Sequence, residues 1–219
     1  MMFRETVNHT FSRMQGRGTI RIMKSGIYTG GAPVIGDSPA LDLVNTLHTP
    51  RGIERDGIAA ASDLADWIRV VTPRLGSTGS VGAVGDAEVA RFRELRATVR
   101  SLVASVAVGE LPASTDVDRV NQASELAPSW PGLRIESGVL KQTSESSASG
   151  TDLVLASLAK EAVELLTSER ANTLRACEAH NCSLYFLKNH PRREWCSESC
   201  GARVRAARAY ARRTASPVK

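Results

Sequence analysis

The groups in this chain best suited to chemistry are its four cysteines, all within 24 residues: Cys177-Glu-Ala-His-Asn-Cys182, then thirteen residues, then Cys196-Ser-Glu-Ser-Cys200. Two closely spaced cysteine pairs fit a tetrahedral zinc site, because a d10 ion takes four thiolates and a short hairpin can bring two pairs together. Two disulfides, or four unrelated buried thiols, are the alternatives. Arg4, Arg13, Arg17, Arg21 and Lys24 interrupt any apolar leader, so a reducing cytoplasm, where thiols stay free for metal, is the expected location. Four sulfurs complete the shell of zinc, so the site should be closed and structural. His180 and His190 could each replace a cysteine, but with four thiolates on offer they are expected beside the metal or at the surface.

Two such pairs need elements to hold them. Leu184–Leu187 reads as a short strand and Asn189-His190-Pro191 as a turn, after which Arg192, Arg193 and Trp195 lead back to Cys196. Ser197 is a good N-cap, and the Ala- and Arg-rich run behind it predicts a helix to about Thr214. Knuckle, hairpin and helix together predict a treble-clef-like zinc finger over 169–219. On the helix, Cys196, Cys200, Val204, Ala207 and Ala211 share a side, expected to hold zinc and core. Arg205, Arg208 and Arg212 form a second stripe, facing outward. Arginines can fork two hydrogen bonds onto a phosphate and release counterions, so this stripe suits a nucleic-acid backbone. The candidate nucleic-acid contacts are Arg192, Arg193, Arg203, Arg205, Arg208, Arg212 and Arg213. A solvated helix end is the alternative reading.

The rest of the chain has another character. Of 219 residues, 42% are hydrophobic and 23% charged, enough to build a core, and no apolar run is long enough for a membrane-spanning helix. The net charge is +5, distributed as +4 over 1–35, −6 over 36–168 and +7 over 169–219. That asymmetry suggests that one end meets a polyanion. Residues 1–38, glycine-rich and without period, read as a flexible basic arm, with a true start near Met23 as an alternative. The body, 39–168, reads as mainly helical. A first helix from Pro39 carries Leu41, Val44, Asn45 and His48 on one face and ends at Pro50. Further helices are predicted over 61–71, 86–108 and 114–127, and a last one runs from about Leu155 toward Arg170 or Leu174. Arg91, Arg93, Arg96 and Arg100 read as solvated faces of the long helix. Alternation around Gly138 predicts a small β-hairpin, followed by a polar loop over 142–151. No nucleophile motif, phosphate-cradling loop or paired-carboxylate spacing appears, so no enzyme is expected. Asp42, Asn45, His48, Asp66 and Trp67 are the candidate lining of a small-molecule pocket, since buried polar groups need partners.

The string Cys177…Cys182…Phe186…Arg193-Glu194-Trp195-Cys196-Ser197…Cys200-Gly201-Ala202-Arg203 resembles the CGNR zinc finger. Upstream, Leu41-Asp42-Leu43-Val44-Asn45-Thr46 and Asp63-Leu64…Trp67 resemble the ABATE domain, which commonly precedes that finger. The resemblance implies a stress-induced bacterial transcription regulator, with the finger as DNA binder and the larger domain as ligand sensor. Ala202 stands in place of the motif asparagine, and Lys188 where an acid is usual. Neither position is a metal ligand. The resulting expectation is a zinc-dependent DNA-binding regulator with one structural zinc. DNA is its partner, a small-molecule effector is a further one, and a homodimer is plausible although no heptad seam argues for it. Alternatives are small-molecule binding or catalysis in the helical body, or an adaptor for RNA or an acidic protein.

Overall fold

A computed structural model describes residues 31–76 and 81–215. Its elements in chain order are α1 (Pro39–Val44), β1 (Leu47–His48), β2 (Arg55–Asp56), α2 (Ala61–Val71), α3 (Asp86–Ala107), α4 (Ser114–Glu125), β3 (Ser129–Glu136), β4 (Val139–Ser146), α5 (Gly150–Thr167), β5 (Leu174–Ala176), β6 (Tyr185–Leu187) and α6 (Glu198–Ala215). The described residues are thus mainly helical, with three antiparallel strand pairs among them, β1–β2, β3–β4 and β5–β6.

α1 is the hub of the body. All six of its residues are buried, and it lies against α3 and α5. Leu41, Leu43 and Val44 meet Phe92 and Val99 of α3 and Leu158 and Leu165 of α5 in one apolar cluster. α2 adds Leu64, Trp67, Ile68 and Val71, with Trp67 edge-on to Phe92. At the starts of α2 and α3, side chains replace missing helical acceptors: Asp63 accepts from the Ala60 N–H and Glu88 from the Gly85 N–H. The apolar spacing read over 61–71 and 86–108 matches α2 and α3, and the helix expected over 114–127 matches α4, each to within two residues at either end. Ala113, rather than Ser114 or Asp116, takes the N-cap position of α4.

α1 does not run on to His48 but ends at Val44. The Asn45 carboxamide bonds the backbone of Tyr185, the Thr46 hydroxyl turns back to the Leu43 carbonyl, and Leu47–His48 then pairs with Arg55–Asp56. Tertiary hydrogen bonds here outcompete the next helical turn. Part of the supposed polar loop over 142–151 is strand: β4 continues to Ser146, matched residue for residue from Ser129↔Ser146 to Glu136↔Val139, and α5 already begins at Gly150. A hairpin open to solvent on both sides requires no alternation, so the pattern hid it. α5 stops at Thr167, where Ser168 turns extended and a 3-10 turn, Glu169–Thr173, leads into β5.

Inward from residue 31, the expected arm is not an arm. Ala32, Val34, Ile35 and Ser38 are buried. Asp42 accepts the Ile35 and Gly36 N–H groups, so two backbone donors of this segment are satisfied without its belonging to a helix or sheet. Gly57 lets it approach: a Cβ there would lie 2.3 Å from that of Ala32. The remainder of the arm, 1–30, and the alternative start near Met23 fall outside the described residues, as does the loop centre at 77–80.

Candidate metal centre

The first cysteine pair sits at the tip of the β5–β6 hairpin, with register Leu174↔Leu187, Arg175↔Phe186 and Ala176↔Tyr185. One step past β5 the Cys177 N–H donates to the Leu184 carbonyl at 2.8 Å, and the Cys182 N–H closes a turn onto Ala179 at 2.9 Å. Asn181 takes the left-handed conformation, φ 58°, that the turn needs and that asparagine tolerates. The strand between the cysteine pairs therefore pairs with a strand before the first pair, rather than forming a hairpin wholly between them. The second pair comes from the start of α6. Ser197 caps that helix by accepting the Cys200 N–H at 3.2 Å, which fixes Cys196 just before the helix and Cys200 in its first turn.

These two local structures bring the four sulfurs within 4.8 Å of one another. Three of the separations are 3.5 Å (Cys196–Cys200), 3.7 Å (Cys182–Cys196) and 3.8 Å (Cys182–Cys200). A tetrahedron of sulfurs each about 2.3 Å from a zinc ion has edges of about 3.8 Å, so the donor set fits that ion in both chemistry and size. None of the thiols is in a disulfide. The thiols hydrogen-bond to one another. Hydrogen bonds with Cys182 and Cys196 bring Cys177 down to about 7 and hydrogen bonds with the other three lower Cys200, while contacts with Cys177 and Cys200 push Cys182 up and contacts with all three others push Cys196 up. A divalent ion takes the place of the thiol protons and binds all four as thiolates. The finger thus holds one structural zinc through Cys177, Cys182, Cys196 and Cys200, with no position left open for a substrate. The Arg203 guanidinium donates to the Cys200 sulfur at 3.1 Å and offsets part of the charge that four thiolates bring.

Around the sulfurs lies a small core of Ile35, Ala179, Leu184 and Phe186, with Trp195 and Val204 at its edge. Ile35 comes from the segment ahead of α1, so the finger completes its core with the body's own chain. Gly201 leaves room for the Trp195 ring, since a Cβ there would lie 2.9 Å from the ring's Cδ1.

The predicted contact residues divide. Arg193 is buried, a correction to its reading as a nucleic-acid contact. Its guanidinium bonds Asp37 Oδ1 at 2.8 Å, the Leu187 carbonyl at 2.9 Å and the Cys196 carbonyl at 3.3 Å, and it stacks on Phe186 at 4.9 Å. Arg203 leans on the metal cluster. Arg192, Arg205, Arg208, Arg212 and Arg213 are exposed, Arg208 lying 6.0 Å from the Trp195 ring. The helix side expected to hold core does so only as far as Val204; Ala207 and Ala211 are exposed, because α6 runs out beyond the body. His180 and His190 are also exposed, the latter accepting the Arg192 N–H, and neither joins the sulfur cluster. Ala202 is exposed, so the missing motif asparagine leaves no cavity.

The five pocket candidates do not line a common cavity among the described residues. Asp42 is wholly buried; burial pushes its carboxyl up, while an ion pair with Arg74 and the two N–H bonds pull against that. Asn45 is spent on Tyr185: its amide donates to the carbonyl and accepts the N–H, both at 2.9 Å, as a strand neighbour would. His48 contacts the Thr46 carbonyl at 3.3 Å, and desolvation lowers its pKa. Asp66 pairs with Arg69 on the surface of α2, and Trp67 is core.

Sequence reasoning missed the residues that join finger to body. Asp37 holds Arg193 and also accepts the Leu187 N–H at 2.9 Å. Arg100 donates to the Ser183 carbonyl at 3.1 Å and stacks on Tyr185. Within the body, sequence reasoning also missed Arg96, expected in solvent but buried, which grips Asp56 through two bonds of 2.6 and 2.9 Å. No short motif marks them, because the partners of Asp37, Arg96 and Arg100 lie 40 or more residues away in the chain.

Comparison with known families agrees with this geometry. Residues 37–169 match the ABATE family, described as a putative stress-induced transcription regulator, and residues 173–213 match the CGNR zinc finger. Among curated proteins no sequence matches. With the larger match spanning more than half of the chain and the four-sulfur site in the matched finger, the chain belongs to the ABATE family and carries a CGNR zinc finger.

Proposed function

We propose that this protein is a DNA-binding transcription regulator whose zinc-held helix α6 lies against the phosphate backbone. The observation that carries this reading is α6 itself. From Arg203 to Arg213 it bears five arginines and no acid, and its first turn is fixed by two of the four sulfurs. Arg205, Arg208 and Arg213 have no carboxylate partner among the described residues. Cations already paired with protein acids would gain little from phosphate; these are available to displace counterions. A groove between knuckle and helix, lined by Arg203, Val204, Ala207 and Arg208 on the helix and by Glu178, His180 and Asn181 on the knuckle, runs beside the stripe. Phosphate contacts orient a protein without reading bases, so sequence preference has to come from side chains reaching a groove of the duplex.

The test is duplex binding by zinc-loaded protein, followed by fluorescence anisotropy over a range of salt. Replacing Arg205, Arg208 and Arg212 by alanine should make the log–log salt slope shallower by about 2 to 3, at roughly 0.9 for each phosphate no longer neutralised. An unchanged slope in a variant that still holds one zinc would overturn the reading. Capture of genomic fragments then separates a regulator, which enriches discrete sites, from a general DNA coat, which enriches none. Sensing of a small molecule by the body is a second reading, and it needs a place other than the five residues first nominated. A polar cleft between Arg74, the base of β3–β4 and Lys160 and Glu161 of α5 is the feature that favours it.

A further inference from the structure

The β3–β4 hairpin is the one strand pair here that makes eight cross-strand matches, yet no third strand extends it among the described residues; its base meets α5, where Ser129 accepts from Lys160, and beyond that base most of its residues are exposed. A lone two-stranded hairpin is marginal in water unless something packs on it. Alternation along the strands sorts its side chains into two unlike faces. Arg134, Glu136, Lys141 and Glu145 all fall on one face, where Arg134 pairs with Glu145 and Lys141 with Glu136. The other face carries Pro131, Leu133 and Ile135 from β3 and Leu140, Gln142 and Ser144 from β4, with no charge along its whole length. Leu133, Ile135 and Leu140 are 72%, 72% and 63% exposed.

We propose that this uncharged face is a self-association surface that joins two copies of the chain. Its chemistry selects the occupant. Beyond its base, where Ser144 borders the cleft with Arg74, Lys160 and Glu161, a nucleic acid or an acidic or basic protein would find no charge to meet, whereas a second copy offers the same flat apolar strip, and identical uncharged faces do not repel. A two-fold axis through the Leu133/Gln142 row sets the leucines against each other and lays Ile135 and Leu140 of each copy over Pro131 and Ser144 of the other, an isologous contact that closes on itself. The six residues expose on the order of 500 Å² per copy, about 1,000 Å² for the pair, which reaches the lower bound of a specific interface and implies a reversible dimer. The inference does not depend on DNA binding.

Sedimentation velocity of the full, zinc-loaded chain over a wide span of concentration tests it. The native chain should pass from monomer to dimer. Leu133→Glu, which would bury an unpaired charge at the axis, should weaken association by about tenfold or more, and Val139→Lys, on the opposite face of the same hairpin, should leave it unchanged. A chain that stays monomeric throughout, or a dimer indifferent to Leu133→Glu, would overturn the proposal. Because Leu133→Glu could act by disordering the hairpin, Leu133→Cys supplies an independent reading. Mild oxidation should link it into a covalent dimer with the zinc still bound, and failure to link at concentrations where the native chain is dimeric would overturn the proposed axis.

Discussion

Arg193 follows Arg192 in a run that reads as a pair of phosphate contacts, yet the two arginines have different fates. Arg192 is exposed, whereas Arg193 is sealed against Asp37, both side chains only 7% exposed. A buried pair contributes little over an apolar replacement, but removing one member strands the other charge, at a cost of about 3–5 kcal/mol. Arg193→Ala should therefore lower the stability of the zinc-loaded protein by that much in urea denaturation, while leaving the salt slope of DNA binding close to native. A slope that falls while stability holds would assign Arg193 to the nucleic acid after all. Which of two adjacent arginines is buried depends on where Asp37 lies, 156 residues away, so the chain's local chemistry could not distinguish them.

At the scale of elements, the short β1–β2 pair is held on α3 by Asp56, which Arg96 and Arg93 both grip. Burial pushes the Asp56 carboxyl up, but the Arg96 hydrogen bonds, the Ile58 N–H and the two guanidinium charges outweigh it and bring it down to about 2. A depressed carboxylate adds stability that is whole above the unfolded value near 3.8 and is lost as pH falls toward 2. Asp42, raised by burial, works in the opposite sense over its own range. Asp56→Asn should thus flatten the fall in stability between about pH 4 and pH 2, as followed by denaturant midpoints; an equally steep fall would show that the clamp is not what titrates. Helices α2, α3 and α6 were legible because local propensity, the capping side chains Asp63, Glu88 and Ser197 and a 3.6-residue period point the same way. The end of α1 and the extent of β4 were not, since the first is decided by Asn45 reaching Tyr185 and the second by pairing alone.

Taken whole, finger and body share structure. Leu174 and Leu187 of the β5–β6 hairpin belong to the main core, Ile35 belongs to the finger's core, and Asn45, Asp37 and Arg100 bond the finger backbone or its arginine. Structural zinc contributes on the order of 10 kcal/mol to small folded modules, and burying two leucines contributes about 3–6 kcal/mol. Chelation should therefore destabilise the helical body as well as the finger, seen as a lower melting temperature in the helical circular-dichroism signal, reversed by added zinc. A body that melts unchanged after metal loss would show the two parts to be independent. Four cysteines in two short pairs were enough to announce the metal, because each pair is arranged by a local turn or a first helical turn. The arginine-bearing helix behind them was equally plain, since caps and propensity act over a few residues. What faces each side chain was decided only by tertiary packing: burial depends on which distant segment arrives. That is why Asp42 and Asn45 became struts instead of a ligand pocket, and why α6 leaves the core at Val204.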